Sequence, residues 1–215
     1  MQSLIPQRLM EMYERLLSHF GPQFWWPAET PLEVMVGAIL TQNTNWNNVE
    51  KAIINLKKNN HLTLKALSDL DFNDLAQEIR PAGYYNVKAR RIKNLIRFIV
   101  DNFQGDFSLF LKEKTITLRE NLLTVKGIGP ETADSILLYA LKRPVFVIDT
   151  YTHRILRHHN IISEEENYHS LQNLFIDNMP KDQCLFNEFH ALIVQTGKTF
   201  CKKKPKCDDC PLYQW

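Results

Sequence analysis

Nearly every stretch of this sequence repeats its apolar residues at the spacing of an α-helix, and almost none alternates as a β-strand does. The periodic segments cover residues 6–19, 30–40, 46–59, 63–69, 72–79, 84–102, 106–113, 115–123, 130–141, 149–158, 165–177 and 181–197. Several begin with a capping residue, for example Thr30 before Pro31. The one β-like run, "VFVID" at residues 145–149, is too isolated to form a sheet. The sequence therefore predicts an all-α fold of many short helices.

Size and charge limit the class of protein. The 215 residues can bury a substantial core, as one domain or as two small lobes. A net charge of +2 permits a nucleic-acid partner without arguing for one. Charges interrupt the first apolar stripe, which excludes a secretory signal, and no uncharged apolar run is long enough to span a bilayer. We therefore expect a cytoplasmic protein with no membrane partner. Thiols stay reduced there, so clustered cysteines indicate a metal site rather than disulfides.

A glycine-rich turn lies within the stretch "VKGIGPETADSILLYA". Gly127 and Gly129 allow unusual backbone angles and leave N–H groups uncovered, while Pro130 and Glu131 suit the first turn of the helix that follows. Such a turn can hold a phosphate through its N–H groups while Ile128 anchors it in the core. The alternative is an ordinary helix–helix turn with a glycine cap, which the turn taken alone favours.

Several motifs, in the same order, resemble those of the helix-hairpin-helix DNA glycosylases of the endonuclease III superfamily. The family signature is a leucine, a Gly-x-Gly hairpin, Thr-Ala, a helix, and then Val-Asp-Thr in a loop. With isoleucine in place of that valine, the matching residues here are Leu122 or Leu123, Gly127, Gly129, Thr132, Ala133, Ile148, Asp149 and Thr150, with Arg154 following. "GAILTQNT", which contains Gln42, and "IRPAGYYNVKARRI", which contains Lys88, match two further family motifs. The resemblance covers nearly the whole chain.

The resemblance implies two helical lobes with a DNA-binding cleft between them. Residues 30–140 would form a helical-barrel lobe that carries the helix-hairpin-helix motif. Residues 1–29 and 141–215 would form the second lobe, with the catalytic aspartate and a C-terminal cysteine loop. The expected partner is double-stranded damaged DNA, bound by a monomer that is associated with the nucleoid if the source is bacterial.

The resemblance also implies a reaction. Asp149 would stabilise the positive charge that develops on the sugar as the damaged base leaves, and it can cap a helix as well. Lyase members of the family carry a lysine two positions after the second glycine, where this chain has Glu131. A carboxylate forms no Schiff base, so we predict a monofunctional glycosylase, with Glu131 marking chemistry that stops at base release. The alternatives are an endonuclease III-type glycosylase/AP lyase that acts on oxidised pyrimidines, and a catalytically inactive DNA-binding protein.

Aromatic residues predict the base pocket. Trp25, Trp26 and Trp46 would form an electron-rich cage for a positively charged alkylated purine, although adjacent tryptophans often serve only as core. The stretches "FWWP" and "LTQNT" resemble the branch of the superfamily that removes 3-methyladenine. Lys198 is expected to approach the same pocket.

The predicted DNA contacts combine the hairpin with two side chains. The hairpin residues are Gly127, Ile128, Gly129 and Thr132. Gln42 would fill the gap left by the flipped base. Lys88, in a basic cluster with Arg90, Arg91 and Lys93, would contact a phosphate, and a solvated helix face is the alternative.

The C-terminal loop contains Cys201, Cys207 and Cys210, which we predict as metal ligands. The resemblance implies a [4Fe-4S] cluster, which ordinarily takes four cysteines, and the fourth would fall just beyond Trp215. Cys184 is expected to be a buried apolar thiol rather than the replacement ligand. A remnant site, a three-cysteine cluster with a foreign fourth ligand, or a zinc site that uses His190 stay open as alternatives. The adjacent basic residues, expected at the DNA backbone, are Lys202, Lys203, Lys204 and Lys206.

Overall fold

The computed structural model describes residues 4–163, 165–202 and 204–215, and within those ranges there are helices and loops but no β-strand. The α-helices are α1 (Ile5–Phe20), α2 (Pro31–Leu40), α3 (Trp46–Lys58), α4 (Leu64–Asp69), α5 (Phe72–Glu78), α6 (Tyr85–Phe103), α7 (Phe107–Lys112), α8 (Thr115–Thr124), α9 (Pro130–Ser135), α10 (Thr150–His158), α11 (Tyr168–Asn178) and α12 (Gln183–Thr199). A 3₁₀ turn covers Arg80–Ala82, and a π-helical segment, Ile136–Ala140, continues α9. The all-α prediction is confirmed.

Side-chain caps explain where most of these helices begin. A capping oxygen accepts a hydrogen bond from an N–H of the first turn, which would otherwise lack an intrahelical partner. The capping residues are Thr30, Asn45, Thr63, Asp71, Asp106, Asp149, Asn167 and Asp182. None of the helices in the described ranges is long and apolar enough to cross a membrane.

The chain forms two compact units, Ala28–Leu141 and the combination of Met1–Pro27 with Lys142–Trp215. In the first unit, α2 is buried along almost its whole length, from Leu32 to Leu40, and it packs against the π-helical segment. The sequence of α2 is apolar on all sides, which is typical of a helix that is surrounded by other elements. This central helix positions Gln42, two residues after its last residue, and the loop into α3.

In the second unit, an aromatic core surrounds Phe146. Its ring stacks on Phe175 at 3.7 Å and meets Phe186 and Phe189 edge-on at 5.4 Å and 5.9 Å. The "VFVID" run is buried here without regular structure. Side chains of α11 satisfy its backbone instead of a neighbouring strand: Gln172 Nε2 donates to Phe146 O at 2.7 Å, and Ile148 N donates to Tyr168 Oη at 3.4 Å.

Candidate active site

Asp149 ends the buried run and begins α10. Its Oδ1 accepts hydrogen bonds from Thr152 N at 2.7 Å and from Thr152 Oγ1 at 2.8 Å, which is the geometry of an N-cap. Thr152 is fully buried, so the partner of Asp149 in this cap is held in place by the surrounding core. Oδ2 points elsewhere and lies 3.7 Å from His190 Nε2 of α12. The carboxylate is thus held in one orientation at the edge of an aromatic core.

Lys198 and Trp25, two of the predicted pocket residues, come together in the same unit. The Lys198 Nζ lies 5.5 Å from the centre of a Trp25 ring, a cation–π arrangement, and Trp25 and Trp26 meet edge-on at 5.5 Å. Desolvation lowers the pKa of Lys198 below its usual value, while the negative charge of Asp149 acts in the opposite direction. One region therefore holds a carboxylate, an amine and two tryptophan rings.

A glycine in α12 lets α10 approach closely. A Cβ placed on Gly197 would lie 2.2 Å from Tyr151 Cδ1 and 2.8 Å from Tyr151 Cβ, so any other residue would displace the first turn of α10. Arg154 reinforces the contact, because its guanidinium lies over the Tyr151 ring at 5.1 Å. The position of Asp149 relative to α12 depends on this contact.

The predicted hairpin forms between α8 and α9 in the other unit. Gly127 has a φ of +103°, a value that side chains other than hydrogen rarely allow. Ile128 is 5% exposed, in agreement with its expected role as an anchor. Gly129 caps α9 and has open space where a Cβ would stand. A bidentate ion pair joins the two helices, with Arg119 Nε and Nη2 donating to the buried Asp134 at 2.7 Å and 2.9 Å.

Gln42 is engaged in hydrogen bonds with the hairpin rather than extended into solvent. Its Nε2 donates to Thr132 Oγ1 at 2.9 Å and to Gly127 O at 3.3 Å. Its Oε1 accepts a hydrogen bond from Arg91 Nη1. The side chain of Arg91 also packs against Gly127. A Cβ on that glycine would lie 2.3 Å from Arg91 Cγ, so no larger residue fits there unless Arg91 moves. The residue predicted to fill the DNA gap thus joins α2, α6 and the hairpin in one polar network.

The structure corrects the predicted role of Lys88. Its side chain is 1% exposed, and its Nζ donates to Leu40 O at 2.9 Å and to Ala82 O at 2.7 Å. A buried amine that serves two backbone carbonyls cannot reach a DNA phosphate. Burial, with a smaller contribution from Arg91, lowers its pKa from 10.5 to about 8. The predicted phosphate contact is therefore wrong, and the role of Lys88 is to satisfy carbonyls at the end of α2 and in the turn before α6.

Part of the rest of the basic cluster also serves the fold. Lys93 Nζ donates to carbonyls at the end of α4, at 2.9 Å for Leu67 and 3.0 Å for Ser68. Arg90 lies 6.0 Å from the ring centre of Phe72. Lys93 is therefore engaged within the fold, whereas Arg90 is exposed, as the alternative of a solvated helix face predicted.

The remaining predicted residues divide between the two units. Trp46 is the first residue of α3 and is partly buried, and Glu131 is exposed in the first turn of α9. Cys184 is exposed on α12, so the expectation that it is a buried thiol was wrong. Lys203 lies outside the described residues.

The C-terminal cysteines line a cavity of about 220 Å³ together with apolar residues of α10, α12 and the loop. Burial, with a smaller contribution from the neighbouring Cys201 and Cys207, raises the pKa of Cys210. His158 also lies here, with its Nδ1 3.4 Å from Cys201 Sγ. Yet among the residues the structure describes, no three Cys, His, Asp or Glu side chains form a group that can hold a metal ion. The donor set therefore does not fit a cluster that takes four thiolates.

A comparison with protein families settles the origin of these features. Residues 36–181 match the HhH-GPD superfamily of base excision DNA repair proteins. This chain belongs to that superfamily. It is a DNA N-glycosylase of base excision repair, as the match and its similar proteins support.

Individual proteins are similar to this chain over a longer range than the HhH-GPD match itself. A candidate DNA repair glycosylase of Methanocaldococcus jannaschii is 47% identical over 210 residues, 97% of this chain and 96% of that protein. Endonuclease III of Sulfolobus acidocaldarius is 31% identical over 180 residues, 82% of this chain and 77% of that protein. The structure of H. pylori 3-methyladenine DNA glycosylase (MagIII) bound to 1,N6-ethenoadenine has a TM-score of 0.77 at 32% identity, and the match covers 90% of this chain and 97% of that one.

Sequence reasoning missed three side chains of this HhH-GPD protein that contact its predicted site residues. Arg91 was assigned to a basic cluster, His190 appeared only as a possible zinc ligand, and His158 was not considered. A signal existed for Arg91, because Lys88, Arg91 and Asn94 recur every three residues and so share one face of α6. Asn94 Nδ2 donates to Lys126 O at 2.9 Å, so this polar face runs beside the hairpin.

Proposed function

We propose that this protein is a monofunctional DNA glycosylase that releases alkylated purines from double-stranded DNA by hydrolysis of the N-glycosidic bond. The observation that carries the proposal is the fixed carboxylate of Asp149, with one oxygen bound in the α10 cap and the other turned away from it. A carboxylate held in this way needs no reorganisation when positive charge develops on the sugar. Asp149 is the group that would stabilise that charge and orient the attacking water.

The hairpin would contribute DNA binding. Gly129 leaves its surroundings open, and the first turn of α9 has N–H groups that point away from the helix. A DNA phosphate can approach such a turn closely because no side chain covers it. Gln42 is hydrogen-bonded to the same hairpin, so filling the DNA gap would require it to exchange those bonds for bonds to the unpaired base.

Absence of strand cleavage is inferred from Glu131. A lyase needs an amine that attacks the sugar C1′ and forms a Schiff base, and the exposed side chain at this position in α9 is a carboxylate. The reaction would then end at an abasic site with an intact strand.

The substrate class is inferred from the tryptophans and Lys198. The face of Trp25 already accepts a positive charge at 5.5 Å, which is the property that binds a cationic alkylated base. Lys198 adds a hydrogen-bond donor suited to an acceptor nitrogen of a purine ring. The similarity to H. pylori 3-methyladenine DNA glycosylase supports the same class.

One assay tests these parts together. Purified protein is incubated with duplexes that carry 3-methyladenine or thymine glycol, and the strands are examined before and after hot alkali. Breaks that need alkali, on the alkylated duplex alone, are the expected result. Direct nicking of the thymine-glycol duplex would instead indicate the endonuclease III-type lyase, for which the 31% identity to the Sulfolobus enzyme is the supporting observation.

A further inference from the structure

His190 lies next to Asp149 and has no part in the function proposed above. Its Nε2 is 3.7 Å from Asp149 Oδ2, and the exposed fractions of the two side chains are 8% and 10%. Oδ1 is bound by Thr152, so the imidazole is placed against the other oxygen, the one outside the helix cap. The two carboxylate oxygens therefore have different neighbours, a cap on one side and a histidine on the other.

The protonation state of the imidazole decides what it does to the carboxylate. A neutral ring can donate Nε2–H to Oδ2 and leave the negative charge of Asp149 in place, whereas an imidazolium would cancel that charge. Burial lowers the pKa of His190 below its usual value, and Lys198 acts in the same direction, while Asp149 opposes both. The ring is thus neutral near pH 7.

The surroundings keep the ring in place. The Phe146 ring packs edge-on against His190 with 6.4 Å between centres, and this phenylalanine is also the centre of the aromatic core. The charged groups that face the imidazole are Asp149, at the start of α10, and Lys198, on its own helix α12. A separation of 3.7 Å exceeds a hydrogen bond, but catalytic hydrogen bonds are often long without substrate and shorten in its complex.

We propose that His190 is a positioning residue for Asp149, which donates Nε2–H to Oδ2 and holds the carboxylate in one orientation during base release. The inference rests on the proposed role of Asp149. It adds a pH limit to the reaction, since protonation of His190 would neutralise the charge that the departing base requires.

The test compares His190→Phe with His190→Gln in single-turnover release of 3-methyladenine from a duplex. Phenylalanine keeps a ring of similar volume without a donor, and glutamine restores an N–H of similar reach. H190F is expected to slow base release by about 10- to 100-fold with unchanged duplex affinity, and H190Q to recover most of the rate. His169→Gln, at an exposed position on α11, is the matched control and should behave as the unaltered protein.

A pH profile separates positioning from a structural role. The unaltered protein should keep its rate through the ordinary histidine pKa of about 6.5 and lose it only at lower pH, because burial lowers the pKa of His190. In H190Q that loss should disappear, because the side chain that gains the proton has been removed. Loss of packing alone would lower the rate equally at every pH.

The result for Asp149→Asn distinguishes the two proposals. If D149N releases bases at the full rate, the proposed role of Asp149 fails and His190 has nothing to position. If D149N is inactive but both His190 variants keep the rate and the pH profile of the unaltered protein, the inference about His190 alone is overturned. Should H190F fail to fold, an H190Q profile identical to that of the unaltered protein overturns it equally.

Discussion

The hairpin of Ala28–Leu141 and the Asp149 turn of the other unit are stabilised by different chemistry. Polar side chains hold the hairpin: Arg91, Gln42 and Asn94 hydrogen-bond to the loop or to each other. Apolar rings hold the run that leads into the Asp149 turn, which packs into the Phe146 core. The phosphate-binding role proposed for the hairpin requires its amides to face outward, so its carbonyls need partners from within the fold. The role proposed for Asp149 requires only one fixed orientation of the carboxylate, which a cap and a rigid core supply.

The largest effect should come from removing the charge of Asp149 while its turn stays intact. Asparagine caps helices as well as aspartate does, so D149N should preserve the α10 cap and leave the free energy of unfolding nearly unchanged. Base release should fall by about 10²- to 10³-fold, since a preorganised charge has been removed. Single-turnover kinetics and thermal unfolding of the same samples check both parts. A large drop in stability together with activity would show that the cap, rather than the charge, had been lost.

Two glycine substitutions test the hairpin, one expected to lower stability and the other expected to lower duplex affinity. Gly127→Ala combines a positive φ with an overlap on Arg91, and we expect a loss of about 2–4 kcal/mol in the free energy of unfolding. Gly129→Ala has an ordinary φ and open space, so stability should change by less than about 0.5 kcal/mol while duplex affinity falls about tenfold. Denaturant unfolding and a binding titration give the two readouts.

A double substitution separates the two causes at Gly127. Arg91→Ala removes the overlap but leaves the backbone angle, so the pair R91A/G127A should cost less than the sum of the single changes. Full additivity would contradict the close approach of Arg91 described above.

Lys88→Met should have a smaller effect, confined to the way in which the free energy of unfolding depends on pH. The lowered pKa of about 8, against 10.5 in the unfolded chain, means that the folded protein binds fewer protons in that interval. The free energy of unfolding should therefore rise with pH from about 8 to 10.5, by about 1–3 kcal/mol relative to K88M. Below pH 8 the difference between the two proteins should be flat. Lys51→Met, at an exposed position of α3, serves as the control with no such rise.

The smallest expected effect is a gain. Glu131→Lys places an amine where lyase members of the superfamily carry one, and a low yield of borohydride-trapped enzyme–DNA adduct should appear. The unaltered protein and E131Q should give none. An adduct with the unaltered protein would contradict the monofunctional proposal directly.

Local sequence signals predicted the helices well because their caps and periods are local properties. Thr30, Asp149 and similar residues act within one turn of chain, so their effect can be read without knowing the fold. Lys88 and Arg91 could not be assigned in this way. A run of basic residues has the same sequence appearance whether it faces a phosphate or the carbonyls of another helix, and only the packing of α6 beside α2 and the hairpin decides between them.

His190 and Cys184 also show that residue type alone did not predict which side chains are buried. Both belong to α12, and one side chain is buried beside Asp149 whereas the other is exposed. The residue types suggested the reverse, because free cysteine is more often buried than histidine. The face of α12 that meets α10 is determined by Gly197, which accommodates Tyr151, and that contact joins residues far apart in the sequence.

The bidentate pair between Arg119 and Asp134 bears on how DNA binding responds to ionic strength. Asp134 is completely buried, so dissolved ions screen this pair far less than they screen exposed charges. The helices on either side of the hairpin should therefore stay joined over the range of salt concentrations in which phosphate contacts weaken. The slope of log affinity against log salt concentration should then report only the release of counterions from the duplex, because the structure of the hairpin does not change over that range.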